Sequence, residues 1–498
     1  MKYDAIILGS GLGGLECAFI LSKCGMNVCV VEKNAALGGC LQSFRRGKDE
    51  FDTGFHYVGA LGKGQILERI FSHFGLMDLP WHQLDTDGFD QVIFKDRSFL
   101  LENGYGQFAD SLSAIFPESK TELEDYSSFL EKVGKGIADP ILKGSGGGYD
   151  SLNSLFEKSA YGYLCQSIAN PLLRNILSGT SLKLELRRGT LPLYTFAQIN
   201  SSFIQSAWRL KGRGSLIADT LADGIREMGG TVLTDATVTS LEEKDGNIRK
   251  AQIIHKGCLE TLSSDLFVSD LSPQLTLELL KESPNIRPVF RRRINRLEQT
   301  CGFFTVNIKL KEGRIPYLNR NIYCYSPDLE SVWDLSEKPA GNPVKGVLIS
   351  QQVPQSGEAA SQMDILTPMD YSEVERWKDT LPNRRGEEYL ALKAKKAEEC
   401  ITLAQTCIPD LKDSIESIYT STPLTYLNYT GAVRGTAYGI RKDCNNLTQT
   451  LLTPKTPFPN LFFTGQNLNL HGILGVSLTS LLTCSEILGK EPVVPFLE

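Results

Sequence analysis

A run of glycines close to the N-terminus has the spacing needed to bind a phosphate-bearing ligand. Residues 5–8 are apolar, as in a strand buried on both faces, and Gly9, Gly11 and Gly14 follow directly. A helical pattern of apolar residues then continues to about Cys24. At this spacing Gly9 permits a tight turn, Gly11 lets a pyrophosphate approach the backbone, and Gly14 lets the helix pack against the strand. Free N–H groups at the start of the helix would hold the anion.

An acidic residue follows this motif at the distance expected for a nucleotide contact. A second apolar strand, residues 28–31, leads into Glu32, eighteen residues after Gly14. An acid at this place accepts hydrogen bonds from an adenosine ribose. Because strand, glycine turn, helix, strand and acid occur in this order, the sequence predicts a dinucleotide site. The residues predicted to bind in this part are Gly9, Ser10, Gly11, Gly13, Gly14, Glu32 and Lys33.

A second glycine pair helps to indicate which dinucleotide the chain binds. Gly38 and Gly39 lie just after the acid, and an Asp-x-Gly segment starting at Asp52 ends in Gly54. The pair by itself could be a simple turn, but the combination resembles the FAD-dependent oxidoreductases that include amine oxidases, protoporphyrinogen oxidases and carotenoid desaturases. The resemblance implies that the pair passes close to the dinucleotide and that Gly54 lies beside the flavin ring. No Cys or His motif for covalent attachment is evident near the segments expected to face the ring, so we expect non-covalent FAD, with Cys40 as the thiol to watch.

The C-terminal residues complete this resemblance. A strand-like stretch, residues 460–464, leads to Gly465 and Gln466, and an apolar helical stretch begins after His471. In the family this strand and helix return to the cofactor, and the helix dipole stabilises negative charge on the reduced flavin. The family often has Asp or Glu where this chain has Gln466, whose amide can still hydrogen-bond a ribityl hydroxyl. The resemblance implies cofactor contacts from Gly465, Gln466, Gly475 and Val476.

Three further segments resemble a subgroup of these enzymes. Residues 51–59, 422–426 and 435–439 are similar to segments of phytoene desaturases, carotenoid isomerases and all-trans-retinol 13,14-reductases (retinol saturases). The resemblance implies saturation or desaturation of carbon–carbon double bonds in an apolar, isoprenoid- or retinoid-like substrate, by hydride transfer with flavin N5. Carotenoid cis–trans isomerisation is the alternative in the same family, and an amine-oxidase-type flavoenzyme stays open. Rab GDP-dissociation inhibitors share the architecture without redox chemistry, but the intact glycine motifs argue against that class.

The order of the elements predicts an α/β fold in which two domains alternate along the chain. We expect a Rossmann-type FAD-binding domain, with a parallel sheet and helices on both faces, and a discontinuous α+β substrate domain. The substrate domain should be helical in its first insert and mixed in its second, with residues 144–148 as a flexible link. Val238 lies on a strand that the resemblance places against the adenine. The predicted segments are 1–75, 211–285 and 415–498 for the first domain, and 76–210 and 286–414 for the second.

Composition excludes several classes of function. The net charge is −6, without the basic patch expected of a nucleic-acid-binding protein. The twelve cysteines are dispersed without a CxxC pair, so neither a metal site nor a disulfide framework is expected. With no signal-peptide pattern, this composition predicts a cytoplasmic protein. Residues 472–488 are too few and too polar to span a bilayer and should form a buried helix. Because an apolar substrate must leave a bilayer to enter the cavity, we expect reversible peripheral contact with a membrane surface through the helical insert. The oligomeric state is left open.

Two histidines are the predicted catalytic residues. His56 lies two residues beyond the Asp-x-Gly turn, and His471 directly precedes the helix expected to face the flavin. Either could exchange the proton that accompanies hydride transfer, and each could instead be a hydrogen-bonded structural histidine. Tyr426, Tyr429 and Tyr438 are the alternative polar groups in these segments. Because only one dinucleotide motif is present, NAD(P)H is expected at most as an external electron donor to the flavin.

Overall fold

Most strands of the described chain lie in two seven-stranded sheets, and the N-terminal glycine motif and the C-terminal helix both follow strands of the first sheet. The computed structural model describes residues 2–143, 154–337, 341 and 343–498. The predicted flexible link at residues 144–148 lies outside the described residues.

The first sheet forms around the N-terminal strand Lys2–Leu8. Its central strands are parallel, and one edge continues as an antiparallel meander, so the sheet as a whole is mixed. The last residues of the long strand Cys258–Ser269 also pair, in parallel, with Leu461–Phe463. The strand order is Thr231–Leu233, Val28–Val31, Lys2–Leu8, Cys258–Ser269, Asn247–His255 and Ala236–Lys244.

Both faces of this sheet are buried, because alternate residues of its strands enter different hydrophobic clusters. Ile7 and Val30 pack in one cluster with Leu15 of the first helix. Ile6 and Cys29, their neighbours along the strands, pack in the other. Short apolar strands buried on both faces are typical of doubly wound sheets. The predicted Rossmann-type fold is therefore confirmed.

The helices of the first domain pack close to the glycine motif. The first helix, Leu12–Lys23, contacts both Ser215–Glu227 and the C-terminal helix Gly472–Leu488. In the described part of the chain, no helix has the length and apolar character needed to cross a bilayer. The other α-helices that lie wholly within the described residues are Ile66–His73, Tyr105–Ile115, Lys120–Lys135, Asp139–Lys143, Ala160–Ser167, Pro171–Leu177, Leu193–Gln205, Pro273–Glu278, Pro288–Arg296, Glu387–Gln405, Leu411–Ser414, Pro423–Thr430 and Leu447–Thr450.

The second sheet combines strands from both inserts. It contains an unpredicted hairpin, Asp90–Phe94 with Arg97–Leu101, inside the insert that was expected to be helical. Lys95 and Asp96 between these strands have φ of +52° and +56°, as a two-residue type I′ turn requires. The strand order is Ile415–Ser421, Gly302–Leu310, Gln362–Met369, Gly346–Gln351, Asn321–Tyr325, Asp90–Phe94 and Arg97–Leu101.

One predicted segment boundary needs correction. Ile415–Ser421, assigned from the sequence to the first domain, pairs instead with Gly302–Leu310 of the second sheet. The chain therefore leaves the second sheet only after Ser421. The remaining strands form two small sheets. One pairs Ser43–Arg46 with Asp49–Asp52, and the other pairs Ala207–Leu210 with both Val58–Gly59 and Trp81–Gln83.

Candidate active site

The glycine motif forms a close-packed turn between the first strand and the first helix. Gly9 has a φ of +92°, a conformation that favours glycine. A Cβ on Gly13 would lie 2.9 Å from the Cα of Gly465, and a Cβ on Gly14 would lie 2.4 Å from the carbonyl oxygen of Gly9. Gly11 begins the helix without a side-chain cap, which leaves the first N–H groups of the helix to other partners.

Glu32 connects the glycine turn to the end of the second strand. It is only 6% exposed. Its Oε2 accepts hydrogen bonds from the backbone N–H and the hydroxyl of Ser10 at 3.1 and 2.7 Å. Its Oε1 accepts from the backbone and side-chain N–H groups of Asn34 at 2.8 and 2.9 Å. Beside it, burial lowers the pKa of the Lys33 ammonium, which donates to the carbonyl of Asn428 at 3.3 Å.

The second glycine pair returns to the same turn. Gly38 and Gly39 have φ of +102° and +57°, and Gly38 forms an isolated parallel bridge with Gly11. A Cβ on Gly39 would lie 3.4 Å from the Cα of Gly11. A Cβ on Gly54 would lie 3.3 Å from the carbonyl oxygen of Cys40. Larger side chains at these positions would therefore fill the space next to the turn.

Asp270 is a buried acid at this turn that the sequence analysis missed. It follows the strand Cys258–Ser269, and its carboxylate accepts hydrogen bonds from the backbone N–H groups of Gly14 and Gly11. Burial, opposed by these hydrogen bonds and aided by the charge of Glu32, raises the pKa of Asp270 to about 7. Its place at the carboxyl end of a parallel strand, where α/β folds bind ligands, was the signal available in the sequence.

A continuous cavity of about 560 Å³ joins the glycine turn to side chains of the second domain. Its volume lies in the range of small-molecule and cofactor sites. Every predicted cofactor residue lines it except Gly14, which packs the helix against the turn. The predicted residues on its wall are Gly9, Ser10, Gly11, Gly13, Glu32, Lys33, Gly38, Gly39, Gly54, Val238, Gly465, Gln466, Gly475 and Val476.

Apolar side chains surround the other end of the cavity. They come from the first insert and from three strands of the second sheet, and this wall suits a long apolar molecule. His56 and His471 both line the cavity as well. The apolar lining residues include Leu182, Ile199, Phe203, Phe303, Leu348 and Leu366.

His56 has one unpaired nitrogen at the cavity wall. Its Nδ1 lies 3.8 Å from Oδ2 of Asp364, and its buried Nε2 has no hydrogen-bond partner among the described residues. Burial, aided by the charge of Arg209, lowers the pKa of His56 to about 4. Burial also raises the pKa of Asp364 to about 7. The imidazole is therefore neutral at pH 7, with a polar atom left for a ligand.

His471 is held in one tautomer at the start of the C-terminal helix. Its Nε2 lies 3.0 Å from the carbonyl oxygen of Lys183. Because a carbonyl oxygen only accepts, Nε2 carries the proton and Nδ1 is left as an acceptor. Burial is the main cause that lowers the pKa of His471 to about 4. The ring packs against that of Tyr438, with 4.3 Å between the centroids and 32° between the planes.

The three candidate tyrosines have different environments. Tyr426 and Tyr438 line the cavity, but their hydroxyls donate to backbone carbonyls, Tyr426 to Thr53 at 3.1 Å and Tyr438 to Leu182. Tyr429 is 48% exposed and lies away from the cavity wall. The histidines therefore have the better geometry for proton exchange.

Lys183 lies at the apolar end of the cavity and was also missed from the sequence. Its ammonium Nζ is 3.3 Å from Oδ2 of Asp90 and 4.1 Å from the centroid of the Phe203 ring. Burial lowers the pKa of Lys183, opposed by the charge of Asp90. No local motif surrounds this lysine, so the sequence carried no signal for it.

These features fit a bound FAD. The close-packed glycines, the N-terminus of the first helix and the buried Glu32 form a dinucleotide cradle, and His56, whose Nε2 is unpaired among the described residues, lines the same cavity. Among the described residues, no cluster of His, Cys, Asp and Glu could hold a metal ion.

Comparison with known proteins agrees with a Rossmann-type nucleotide-binding fold. Residues 7–74 match the NAD(P)-binding Rossmann-like domain family. An oxidoreductase from Methanosarcina mazei has the same fold, with a TM-score of 0.62 at 14% identity over 97% of this chain and 99% of that one.

Curated relatives are similar over most of the chain. All-trans-retinol 13,14-reductase from Rattus norvegicus is 26% identical, over 98% of this chain and 86% of the relative. Prolycopene isomerase 1, chloroplastic, from an Oncidium hybrid cultivar is 24% identical, over 88% of this chain and 75% of the relative. The resemblance predicted from the sequence is thus confirmed, and the chain is a homologue of these oxidoreductases and isomerases.

Proposed function

We propose that this chain is an FAD-dependent oxidoreductase that saturates or desaturates carbon–carbon double bonds of an apolar, isoprenoid- or retinoid-like substrate. The observation that carries the proposal is the continuous cavity, with a dinucleotide cradle at one end and apolar walls at the other. The relatives named all-trans-retinol 13,14-reductase support this proposal, since their name describes the reduction of a carbon–carbon double bond of a retinoid.

The residues of the chain have distinct roles in this proposal. When bound, FAD supplies hydride exchange at N5 of its flavin ring. The glycine turn holds the pyrophosphate and Glu32 the ribose, while the apolar walls orient the double bond and exclude water. A neutral His56 or His471 can accept the proton that leaves the carbon chain in desaturation. Saturation needs a protonated donor, which their lowered pKa values disfavour.

The experiment that tests this function is anaerobic re-oxidation of the reduced flavin. The purified protein is reduced with dithionite and mixed with retinoids, carotenoids, enones or quinones, and the flavin absorbance is followed. Fast re-oxidation by a polyene, with a hydrogenated product, is expected. Re-oxidation by quinones alone would exclude saturation and leave desaturation, in which the oxidised protein should dehydrogenate the carbon chain; failure of both reactions would contradict the proposal. Replacing dithionite with NADH or NADPH tests whether a nicotinamide serves as the external donor.

Cis–trans isomerisation is a second candidate function, because prolycopene isomerases are among the relatives. It would use the same cavity and cofactor without net transfer of electrons to the product. Product analysis in the same experiment separates the two functions. An isomerised polyene of unchanged mass, formed while the flavin stays reduced, identifies the isomerase.

The FAD should be held non-covalently. Burial, aided by the charge of Asp270, raises the pKa of the Cys40 thiol to about 11. A protonated thiol is a poor nucleophile for attachment to the flavin. Acid precipitation should therefore release all flavin into the supernatant, and flavin that stays with the polypeptide would contradict this part of the proposal.

An apolar substrate would reach the cavity from a membrane surface. Ile137 lines the cavity, and Leu142 on the following short helix is 39% exposed. We infer reversible peripheral contact through this helical insert. Sedimentation with liposomes should capture part of the wild-type protein and less of a Leu142→Glu variant. Absence of any liposome affinity would remove this part of the proposal.

A further inference from the structure

We propose that Lys183 determines substrate specificity by donating a hydrogen bond to an uncharged oxygen, a carbonyl or hydroxyl, on an otherwise apolar substrate. This inference rests on the proposed function and concerns the apolar end of the same cavity. It assigns a role to an ionic group that neither the cradle nor the histidines require.

The Lys183 ammonium lies in an aromatic pocket with a single carboxylate. Asp90 Oδ2 is 3.3 Å from Nζ. The ring centroids of Phe203, Tyr57 and Tyr323 are 4.1, 5.6 and 5.8 Å from Nζ. Phe203 and Tyr57 also line the cavity. Aromatic faces stabilise a cation without using its N–H donors, so the ammonium remains available for polar contacts.

Asp90 is held in place by neighbours other than Lys183. Tyr57 donates its hydroxyl to Oδ2 at 2.9 Å, and Asn321 donates its amide to Oδ1 at 2.9 Å. The hydroxyls of Tyr57 and Tyr323 lie 2.6 Å apart, which extends the network behind the cavity wall. The carboxylate thereby fixes the position of the ammonium at the wall.

The ammonium has more donors than this network uses. An ammonium carries three N–H donors, and Asp90 is its hydrogen-bond acceptor among the described residues. Lys183 lines the cavity, so a ligand oxygen could accept a remaining donor. A pure hydrocarbon in the cavity would displace water from the ammonium without offering an acceptor for its N–H group. The hydrogen bond to water would then be lost without replacement, which costs free energy.

The charge balance selects an uncharged oxygen over a carboxylate. Lys183 and Asp90 together are neutral as an ion pair. A carboxylate beside them would leave one buried negative charge without its own cation, whereas a carbonyl or hydroxyl adds no charge. The preferred substrate therefore has an aldehyde, ketone or alcohol group, and its acid and its oxygen-free hydrocarbon should both bind less well.

The test compares four forms of one C20 polyene: alcohol, aldehyde, acid and oxygen-free hydrocarbon. Equilibrium binding to the oxidised FAD-loaded protein is measured by fluorescence titration, without turnover. Wild type should bind the alcohol and aldehyde about tenfold more tightly than the other two, the scale of one charge-assisted hydrogen bond. Lys183→Met should lose this preference. Lys135→Met is the control, since Lys135 is exposed and pairs with Glu131 on the surface.

A second variant covers the case in which Lys183→Met fails to fold. Lys183→Met combined with Asp90→Asn leaves no unpaired carboxylate, and it too should bind all four forms alike. If wild type binds none of the four, the proposed function itself fails. If wild type binds all four equally, or if both variants keep the preference, the assignment of Lys183 is overturned while the proposed function stands.

Discussion

The two ends of the cavity differ in whether their buried ionisable groups are paired with an opposite charge. Near the glycine turn, Glu16 and Asp270 are buried acids whose pKa values are raised to about 8 and about 7 by burial, and among the described residues no cation contributes to either shift. At the apolar end, Asp90 and Lys183 form an ion pair behind aromatic rings. In the first case burial raises the pKa of an acid that has no cation as its partner. In the second, burial raises the pKa of Asp90 and lowers that of Lys183, and their pairing opposes both shifts.

The difference matters for the ligands that each end accepts. A cradle for a dianionic pyrophosphate works best when acids close to the phosphates are protonated, because ionised carboxylates would repel them; the charged Glu32 is proposed to contact the ribose instead. An apolar chamber gains selectivity from one fixed, paired charge. The nucleotide end is built mainly from backbone and small residues, whereas the substrate end is built from side chains of separate segments.

The largest effect is expected at the two histidines of the cavity wall. If His471 or His56 exchanges the proton that accompanies hydride transfer, its replacement by Ala should slow turnover by about 10²–10⁴-fold. Flavin content and reduction by dithionite should not change, because neither step requires a positioned acid or base. The measurements are steady-state turnover, flavin absorbance and the rate of dithionite reduction. His82→Ala, at an exposed strand residue, is the control.

A more conservative variant separates chemistry from structure at His471. In His471→Gln the side-chain amide can still donate to the carbonyl of Lys183, but it cannot accept a proton. Slow turnover in His471→Gln supports proton exchange by the imidazole. Recovery of turnover in this variant would mean that the donated hydrogen bond is the function of His471. Loss of FAD in either variant would make the residue structural, and normal turnover after both Ala replacements would leave solvent as the proton source.

A smaller effect is expected at the nucleotide end. Glu32→Ala should weaken FAD binding by about 1–3 kcal/mol, since charge-assisted hydrogen bonds to the ribose are lost. Titration of the apoprotein with FAD measures the change. Glu227→Ala, an exposed acid on the helix Ser215–Glu227, should bind FAD as wild type does. Unchanged FAD affinity in Glu32→Ala would remove the ribose assignment, and Glu32 would then serve only the hydrogen bonds to Ser10 and Asn34.

The same contrast explains how far the sequence predicts the site. Residues of the nucleotide end belong to local motifs, in which the glycines and the order of strands and helices define the course of the backbone. The structure brings these residues together around one cavity. The substrate end depends on pairings between distant segments. Asp90 and Lys183 are 93 residues apart, and Tyr57 and Tyr323 are 266 apart. No local pattern marks such partners before the chain is folded.

The fold shows the same limit. The strands of the first sheet are short apolar runs next to recognisable turns, so the Rossmann-type domain could be predicted. The strand Ile415–Ser421 was assigned to the other domain because its partner, Gly302–Leu310, is distant in sequence. The hairpin at Lys95 and Asp96 had a local signal, the alternation of apolar residues along its strands. The insert was nevertheless predicted to be helical, because helical patterns follow the hairpin over most of the insert.

The smallest expected effect tests whether the nucleotide end keeps its buried acids neutral. Glu16 lies in the first helix, and Ser477 donates to its Oε1 at 2.6 Å, with Ser480 donating to Oε2. Because burial raises the pKa of Glu16 from 4.5 to about 8 in the folded protein, the folded state binds more protons than the unfolded state between these pH values. The stability that Glu16 contributes is therefore complete below pH 4.5 and is lost as the pH rises through 8.

Glu16→Gln should flatten this pH dependence. Between pH 6.5 and 8.5 the stability of wild type should fall relative to the variant by about 1–2 kcal/mol. Thermal unfolding of the FAD-loaded proteins across this range measures the difference. His56 and His471 act with the opposite sign, since their lowered pKa values make stability rise with pH between about 4 and 6.5, and the chosen window lies above them. Glu227→Gln should follow wild type. Parallel curves for wild type and Glu16→Gln would show that Glu16 is ionised in the folded protein, and the contrast between the two ends of the cavity would then fail at its first buried acid.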